Sequence, residues 1–506
     1  MKPFYFYFVI STFATQITLA QSYDPTFNGN GFVTGPDTYA GVNQIEIPTD
    51  IIYDEGSGKL IMLNQFNGDG ANLHRFNSNG SHDMDFGVDG VQGYDIDISD
   101  DYVNVLAHDG GYRLTGIVIP EADVYSPFNE DILENGLVNN AFGVDGIIIA
   151  ESIEKFLPHA SCHGNSGRYI IAGEDVVYAN GAGLMCFNAD GSFDNLFNYI
   201  TLSINERTVF NSVLELPDER ILAAGHTEDM FSPFNAFICC FLPDGSLDAS
   251  FGDAGILYPE PDFEHGQFQI SEMTLGSDGN IFAAGNLAAA PDYFIMAIKF
   301  NDEGILQPEF GDNGYVYLSG SIGFHVAQLE ANTENQLYLL TENHYTTVYK
   351  LLNDGSLDSS FTNDLPGQFK INVPGTIEED DIIGTDMLLQ PDGKIVVLGY
   401  TDGLSGNDDF FITRIISNDT PVAITETTSK NIISIFPNPA TDQINFECNE
   451  IIKTAEIISY DGRIVNTFTI NNSINQLSIK DIPQGFYILK MELNNGNHLV
   501  AGFVKQ

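Results

Sequence analysis

One phenylalanine recurs along this chain of 506 residues. The intervals between its copies are 59, 56, 55, 54, 59 and 51 residues, and the seven copies are Phe27, Phe86, Phe142, Phe197, Phe251, Phe310 and Phe361. The surrounding residues recur as well, most fully as DGSLDASFGDAG at residues 244–255. A period of this length predicts one supersecondary unit that stacks on its neighbours, because a single unit cannot bury its own apolar face.

A short apolar segment ending in glycine or a small polar residue lies between successive phenylalanines. Its copies include ILAAG at 221–225, IFAAG at 281–285 and IVVLG at 395–399. Turn sequences such as SDG at 277–279 and PDG at 391–393 precede it, and they favour a hairpin because their residues tolerate positive φ. Each unit of about 55 residues then holds four short strands, which is the content of one β-propeller blade.

These observations predict an all-β chain whose main domain is a seven-bladed β-propeller. We expect the small residues at 172–173, 223–225 and 283–285 on the inner strands, where converging strands leave little room. We expect the strand that follows FG-x-x-G, as at 314–318, to lie ahead of the hairpin of the next unit. A linear solenoid is the alternative, but it requires capping repeats at both ends.

The repeat resembles the delta-60 family, whose pattern is roughly DGSLDxSFGxxGxV, then LQPDGKILVAG, then FALARYNxDG. LQPDGKIVVLG at residues 389–399 and the Phe251 segment carry the resemblance most closely. It covers roughly residues 23–416, within a predicted propeller domain of residues 21–416. It implies a propeller and no activity, since the family has no defined catalytic residues.

A different module follows the repeats. Residues 417–430 are a polar linker, and residues 430–506 carry six Lys/Arg and seven Asp/Glu, a net charge of −1 by subtraction. The remainder of the chain therefore carries about −50 of the total of −51. Seven short apolar segments between residues 432 and 504 predict a small immunoglobulin-like β-sandwich over residues 431–506.

Three motifs in this module resemble the type A sorting domain of the type IX secretion system: FPNPATD at 436–442, YDGR at 460–463 and IPQGFYILK at 482–490. The matching residues are Pro437, Asn438, Pro439, Asp461, Gly462, Arg463, Gly485 and Tyr487, with Lys505 in the terminal strand. The resemblance implies export by the type IX machinery of a Bacteroidota-type bacterium, followed by release or attachment to the cell surface. An immunoglobulin-like binding module is the alternative.

The N-terminus is consistent with export. Lys2 precedes an apolar stretch, and Thr18-Leu19-Ala20 places small residues before Gln21, which predicts a signal peptide over residues 1–20. The stretch is shorter than the ~20 apolar residues of a membrane span. We therefore expect a secreted or surface-attached protein without a transmembrane segment.

The charge restricts the partners. A surface this acidic repels nucleic acid, which is bound through Lys and Arg contacts with phosphate. The five cysteines, Cys162, Cys186, Cys239, Cys240 and Cys448, form no regular disulfide pattern. We expect a monomeric propeller that binds an extracellular glycan or protein.

Candidate sites for chemistry are few. Two turns offer oxygen ligands at alternate positions, which makes Asn188, Asp190, Asp194, Asp244 and Asp248 weak calcium candidates. The alternative for these turns is a hydrogen-bonded Asx turn, since neither has the bidentate Glu that closes an EF-hand loop. His159, Cys162 and His163 cluster in a predicted loop, with a spacing that fits no standard zinc site.

The sequence therefore assigns no catalytic residue and no cofactor apart from possible calcium. It favours a binding or structural protein with a role in adhesion or in glycan or protein interaction. A secreted enzyme that degrades polysaccharide or peptide in the propeller channel is the alternative. Clustered acidic and His residues at the channel mouth, with a perturbed pKa, would favour the enzyme.

Overall fold

The computed structural model divides the chain into two compact units, Met1–Asp419 and Thr420–Gln506. The predicted signal peptide and nearly all of the predicted linker lie outside the described residues. The structure describes residues 22–35, 46–66, 70–94, 100–119, 125–150, 153, 155–164, 167–176, 181–194, 196–197, 199–228, 234–261, 266–289, 292–319, 325–342, 345–363, 365–376, 381–402, 409–417, 434–436, 440–447, 452–459, 464–470, 476–480, 482–493 and 498–505.

The first unit consists of antiparallel sheets, and all secondary structure in the described ranges is strand or turn. Two short strands come first: β1 (Ser22–Tyr23) and β2 (Phe32–Thr34). Sheets 1 to 3 follow, with strands β3 (Glu46–Asp54), β4 (Lys59–Phe66), β5 (Ala71–Phe76) and β6 (Val91–Tyr94); β7 (Asp100–His108), β8 (Gly111–Val118), β9 (Ser126–Leu133) and β10 (Ile147–Ile149); β11 (Phe156–His163), β12 (Tyr169–Asp175), β13 (Gly181–Phe187) and β14 (Ile200–Leu202).

Sheets 4 to 6 repeat this order of four strands. They contain β15 (Arg207–Glu215), β16 (Ile221–Glu228), β17 (Asn235–Phe241) and β18 (Ile256–Leu257); β19 (Gln267–Leu275), β20 (Ile281–Ala289), β21 (Asp292–Phe300) and β22 (Tyr315–Ser319); β23 (His325–Ala331), β24 (Leu337–Glu342), β25 (Thr347–Leu351) and β26 (Gln368–Lys370). Sheet 7 contains β27 (Asp381–Leu389), β28 (Ile395–Asp402) and β29 (Asp409–Ile416) together with β1 and β2.

The sheets form a closed ring. The first strand of each sheet contacts the first strands of both neighbouring sheets, and β27 of sheet 7 contacts β3 of sheet 1. The first strands therefore surround the axis, and the later strands of each sheet lie progressively farther out. The ring has no first or last sheet, and such radial repetition leaves only short, protected sheet edges.

The N-terminal strands complete sheet 7. Tyr23 pairs with Ile415, and Phe32 pairs with Thr413, so both β1 and β2 lie along β29. The expectation that the strand after FG-x-x-G opens the next unit was wrong. That strand is instead the outer strand of the preceding sheet, since β22 pairs with β21 of sheet 5. The FG-x-x-G turn reverses the chain direction, so the segment after it pairs with the third strand of the same sheet.

The small residues of the repeat lie on the second strands, so their expected place on the inner strands was also wrong. Each first strand carries a β-bulge, and in most sheets a glycine of the second strand faces it, as at Gly225 and Gly285. A Cβ at either glycine would lie 1.9 Å from a carbonyl oxygen of the bulged strand, that of Val209 or Gln269. Glycine is therefore required by this close backbone approach.

The repeated phenylalanine packs between adjacent sheets, as its pattern predicts. Phe251 of sheet 4 is fully buried, and its ring meets Phe300 of sheet 5 edge-on at a centroid distance of 6.3 Å. Gly304 of sheet 5 approaches the same ring, since a Cβ there would lie 3.2 Å from it. The residue after Phe251 also bonds to sheet 5, because Gly252 donates its N–H to the carbonyl of Glu303. One phenylalanine thus joins two sheets by packing and by a hydrogen bond.

A cation on the third strand adds a polar link between several sheets. Arg414 of sheet 7 lies 4.7 Å above the Phe27 ring and donates to the main-chain carbonyl of Ser78, in the turn after the third strand of sheet 1. Lys299 of sheet 5 donates to Asn353 of sheet 6 at 2.8 Å. In sheets 3 and 4 the equivalent residues are the buried Cys186 and Cys240, and an arginine at the start of the second strand replaces the missing cation.

The second unit contains seven strands in two sheets. The strands are β30 (Ser434–Phe436), β31 (Gln443–Glu447), β32 (Ile452–Ser459), β33 (Ile464–Thr469), β34 (Gln476–Ser478), β35 (Gly485–Leu493) and β36 (His498–Lys505). The sheet orders are β30-β31-β34 and β33-β32-β35-β36. Buried residues of both sheets, such as Ile444 and Leu489, share one apolar core. The immunoglobulin-like class of this unit stays a prediction.

Candidate functional site

Polar side chains surround the axis of the ring at one level. They occupy the same place in six of the seven first strands, directly after the bulge, and we name the set the axial girdle: Asp50, Asn104, Ser212, Glu272, Gln328 and Asp386. In sheet 3 the corresponding residue is Ala160. The bulge aims these side chains toward the axis, where a regular strand would place them between sheets.

The girdle side chains bond to the neighbouring sheet. Asp386 accepts the N–H of Ile51, and Asp50 accepts the N–H of Val105. Ser212 accepts the N–H of Met273. In each case the donor is the residue that follows the girdle position of the next sheet. The girdle therefore satisfies main-chain donors that the bulges leave without a partner in their own sheet.

Further bonds run around the girdle from side chain to side chain. Gln328 donates to Asp386 at 2.7 Å, and Ser212 donates to Glu272 at 3.1 Å. Glu330 lies two residues after Gln328 on β23, and its carboxyl group interacts electrostatically with the charge of Asp386. The axis of this acidic protein is consequently a cluster of carboxyl groups in a confined space.

Burial dominates the acid–base behaviour of these carboxyls. Burial, reinforced by the charge of Asp386, raises the pKa of Glu272 to about 8 and that of Glu330 to about 8. Burial and the mutual proximity of Asp50 and Asp386 raise the pKa of Asp50 well above its ordinary range, and burial raises that of Asp386. Glu272 and Glu330 are therefore protonated at neutral pH.

This protonation predicts that alkaline pH destabilises the ring. A glutamate whose folded pKa is about 8 and whose unfolded pKa is about 4.3 binds more protons when folded, so stability falls as pH rises between these values. We expect Glu330→Gln, which keeps the side chain neutral, to unfold with a free energy about 1–3 kcal/mol higher than the wild type at pH 9. Denaturant unfolding at pH 5, 7 and 9 measures this difference.

The exposed Glu334 provides the control for that series. Glu334→Gln removes the same charge at a solvated turn, and we expect its difference from the wild type to stay within about 0.5 kcal/mol at each pH. A difference between wild type and Glu330→Gln that does not change from pH 5 to pH 9 would contradict the protonated state of Glu330.

A pocket opens between sheets 4 and 5, and we name it the sheet 4/5 pocket. Its volume is about 370 Å³. It lies on the side of the ring where β16 joins β17 and β18 joins β19. Its lining comes from four segments and comprises Ile204, Asn205, Thr227, Phe234, Asn235, Ala236, Tyr258, Pro259, Glu260, Pro261, Gly266 and Phe268. The lining combines aromatic rings with amide, hydroxyl and carboxylate groups and holds no Lys or Arg.

An ion-pair cluster lies next to this pocket. Arg207 donates two bonds of 2.7 Å to Glu174 and also pairs with Glu228. These bonds, the pair with Glu174 first, raise the pKa of Arg207, while burial lowers the pKa of His226. The His226 ring meets the pocket residue Phe234 edge-on at 5.2 Å. The cluster ties sheets 3 and 4 together beside the pocket.

The predicted calcium residues lie in turns on the opposite side of the ring. Asp190 accepts the N–H and the hydroxyl of Ser192, and Asp244 does the same with Ser246. These bonds lower the pKa of both aspartates. The three remaining candidates are bonded as well: Asn188 to Ser192, Asp194 to Leu196 and Asp248 to Ser250. Among the described residues no group of three acidic, His or Cys side chains could hold a metal ion.

The expected loop around His159, Cys162 and His163 was wrong. These residues lie on β11, the first strand of sheet 3, and Pro158 and His159 lie at its bulge. Polar residues and a proline gave this segment an unstrandlike composition, and a bulge is where a strand tolerates proline. Burial lowers the pKa of His159 and raises that of Cys162 to about 12, so the thiol is not activated.

Only part of the predicted sorting motif falls on the described residues, since Pro437, Asn438, Pro439, Asp461, Gly462 and Arg463 lie outside them. Gly485 begins β35, where it pairs with Lys505 of β36. Tyr487 is buried, and its hydroxyl donates to the carbonyl of Pro483 at 2.9 Å. Lys505 also forms a parallel β-bridge with Ala440, which lies within the first motif. The strand pairing thus brings the ends of the second unit together.

Two families match the chain. Residues 434–506 match the secretion system C-terminal sorting domain. Residues 165–197, 216–251 and 390–421 match a β-propeller family described as a domain of unknown function (DUF5122). The protein is a secreted β-propeller with a type IX sorting domain. The delta-60 name for its repeats stays a prediction.

Export to the cell exterior follows from the sorting domain of this propeller protein. In the part of the chain that the structure describes, no helix is long and apolar enough to cross a membrane. Three short motifs predict the sorting domain, and the family match over residues 434–506 confirms it.

Several solved structures are similar to the propeller protein at low identity. The extracellular domain of the hybrid two-component system BT3049 from B. thetaiotaomicron matches at 12% identity with a TM-score of 0.40, over 94% of this chain and 57% of that one. This chain thus spans little more than half of that domain. The polysaccharide lyase Uly1 matches at 10% identity with a TM-score of 0.46, over 76% and 91%. YCF48 bound to D1 peptide matches at 11% and 0.40, over 76% and 97%. No curated protein matches the sequence.

The axial girdle and the sheet 4/5 pocket were not predicted from the sequence. The girdle has a sequence signal, a polar residue at the same position of six first strands. The pocket has none, because its four lining segments meet only after the sheets have stacked.

Proposed function

We propose that this secreted propeller is a binding protein with an adhesive or structural role toward an extracellular glycan or protein. The observation that carries the proposal is the bonding of the axial girdle. Asp50, Ser212 and Asp386 each accept a main-chain N–H of the next sheet, so these side chains hold the ring closed. An open surface suited to a ligand is the sheet 4/5 pocket, with aromatic and amide groups typical of binding sites.

Glycan and protein arrays probed with the full-length secreted protein test the proposal, with and without Ca²⁺. Retention of a ligand without its conversion is the expected result. Calcium dependence would support an ion at the turns of Asp190 and Asp244. Gel filtration of the same sample tests the expected monomer. Retention of no ligand in any arm would contradict the proposed binding role.

A specific observation favours an enzyme as the second candidate. Glu272 and Glu330 are carboxylic acids with a pKa of about 8 on the same axis, and such perturbed acids are frequent in active sites. This candidate predicts shortened polysaccharide or peptide products in the array mixtures. It further predicts that Glu330→Gln abolishes their formation while the fold persists, whereas Glu334→Gln does not. Product formation by the wild type would replace binding with catalysis as the main function.

A further inference from the structure

The sheet 4/5 pocket has one wall that is rigid before any ligand binds. Residues 258–261 leave β18 as Tyr-Pro-Glu-Pro, and the two prolines fix φ at two of these four positions. The N–H of Glu260 donates to the hydroxyl of Tyr315 at 3.2 Å, which holds the segment against sheet 5. A fixed wall lowers the entropic cost of binding.

The opposite wall is held in place as well. The side-chain amide of Asn205 donates to the Thr227 hydroxyl at 3.1 Å, and the N–H of Ile204 donates to the Thr208 hydroxyl at 3.0 Å. Phe268 and Ala236 are buried beneath the pocket, so the floor belongs to the packed core of sheets 4 and 5. The pocket is therefore a formed cavity with fixed sides.

Aromatic surface is available to a ligand in this pocket. Tyr258 is 44% exposed, so part of its ring is open to a ligand. Phe234 is half-buried with one edge against His226. Aromatic rings present an apolar face and, for tyrosine, a polar tip, so they favour ligands that have both apolar and polar surface.

The charges of the pocket exclude anionic ligands. Its lining contains Glu260 and no Lys or Arg, and the whole protein carries a net charge of −51. The carboxylate of Glu260 disfavours a carboxylated or sulfated ligand, and the nearby Arg207 is already paired with Glu174 and Glu228. The exposed Asn205 and Glu260 side chains provide hydrogen-bond groups for a neutral ligand with several hydroxyls.

We propose that the sheet 4/5 pocket binds a neutral saccharide, with a sugar face packed on the Tyr258 ring and ring hydroxyls bonded to Asn205 and Glu260. This inference rests on the proposed binding function and names its ligand class. The volume of about 370 Å³ lies within the usual range of small-ligand sites. A peptide strand is disfavoured because Pro259 and Pro261 of the described lining have no main-chain N–H with which to pair.

Isothermal titration of the full-length protein tests the site, with cellohexaose, mannohexaose and xylohexaose as neutral probes. A polygalacturonate fragment and a basic proline-containing peptide complete the set of probes. We expect binding of at least one neutral probe and a loss of about tenfold in affinity for Tyr258→Ala, since that change removes the aromatic contact. Glu260→Gln should keep the affinity for the neutral probe within about threefold, because an amide retains the hydrogen bonds.

Tyr345→Ala is the matched control. Tyr345 is 41% exposed and precedes β25 on the same side of the ring, outside the pocket lining. Its removal should leave the affinity unchanged. If the wild type binds a neutral probe and Tyr258→Ala does not weaken that binding, the assignment of the binding site to this pocket is wrong, but the binding function stands. If the wild type binds the basic peptide or polygalacturonate and Tyr258→Ala abolishes that binding, the site is in this pocket but its assignment to a neutral saccharide is wrong. Retention of no probe here and of no ligand on the arrays would overturn the binding function itself.

Discussion

We expect removal of residues 430–506 to abolish export and to leave the protein in the periplasm. The deleted residues contain the whole match to the secretion system sorting domain. The second unit has its own apolar core, shared by its two sheets, so its loss removes no residue from the sheets of the first unit. The expected failure is therefore one of transport and not of folding. Immunoblots of periplasm, outer membrane and medium measure it.

The control for this deletion is the stability of the truncated protein. Thermal unfolding of residues 21–429 should resemble the propeller transition of the full-length protein, since the girdle and the inter-sheet phenylalanines are all present. A Tyr487→Phe variant, which removes the hydroxyl that donates to the Pro483 carbonyl, should still be exported. Appearance of the truncated protein in the medium would contradict the sorting function of residues 430–506.

Phe251→Ala has the largest expected effect on stability. The ring is fully buried among residues of sheets 4 and 5, with Phe300 and Gly304 against it. Truncation of such a ring removes its transfer free energy and leaves a cavity that the stacked sheets cannot close, so we expect a loss of about 3–5 kcal/mol. Chemical denaturation followed by circular dichroism measures the loss.

Two variants make the Phe251 result specific. Phe251→Leu retains most of the volume and should cost less than about 1.5 kcal/mol. Leu196 precedes the phenylalanine of sheet 3 and is 89% exposed, so Leu196→Ala should change stability by less than about 0.5 kcal/mol. An unchanged unfolding midpoint for Phe251→Ala would remove the packing role of the repeated phenylalanine.

The repeat allowed the strand content of the fold to be predicted, because the phenylalanine and the hairpin turns depend on local chemistry. Phe251 needs a large apolar side chain, and the segment at 391–393 needs residues that tolerate a turn. The placement of Gly225 and Gly285 was not predictable in the same way. Both glycines are required by the close approach of a bulge on the neighbouring first strand, and the residues around the glycines do not specify that bulge.

The site was less predictable than the fold, for the same physical reason. Asp50 and Asp386 are far apart in the chain and face each other only because the ring closes. Their pKa shifts come from burial, which a sequence does not express. Tyr258 is similar, since its exposure depends on the path of the segment between sheets 4 and 5. The hydrogen-bonded turns at Asp190 and Asp244 could be predicted because their bonds join residues two positions apart in the sequence.

Completion of sheet 7 by the N-terminal strands has a consequence for synthesis. Asp24 and Arg414, bonded across this sheet, are 390 residues apart in the chain. The Asp24 segment must therefore wait for the Arg414 segment to be synthesised before the two can pair. Until then the growing chain has an unfilled strand edge, and such edges invite pairing with other chains. A long-range closure of this kind is intrinsically slow, so the interval before closure is the period in which this protein is most exposed to misassembly.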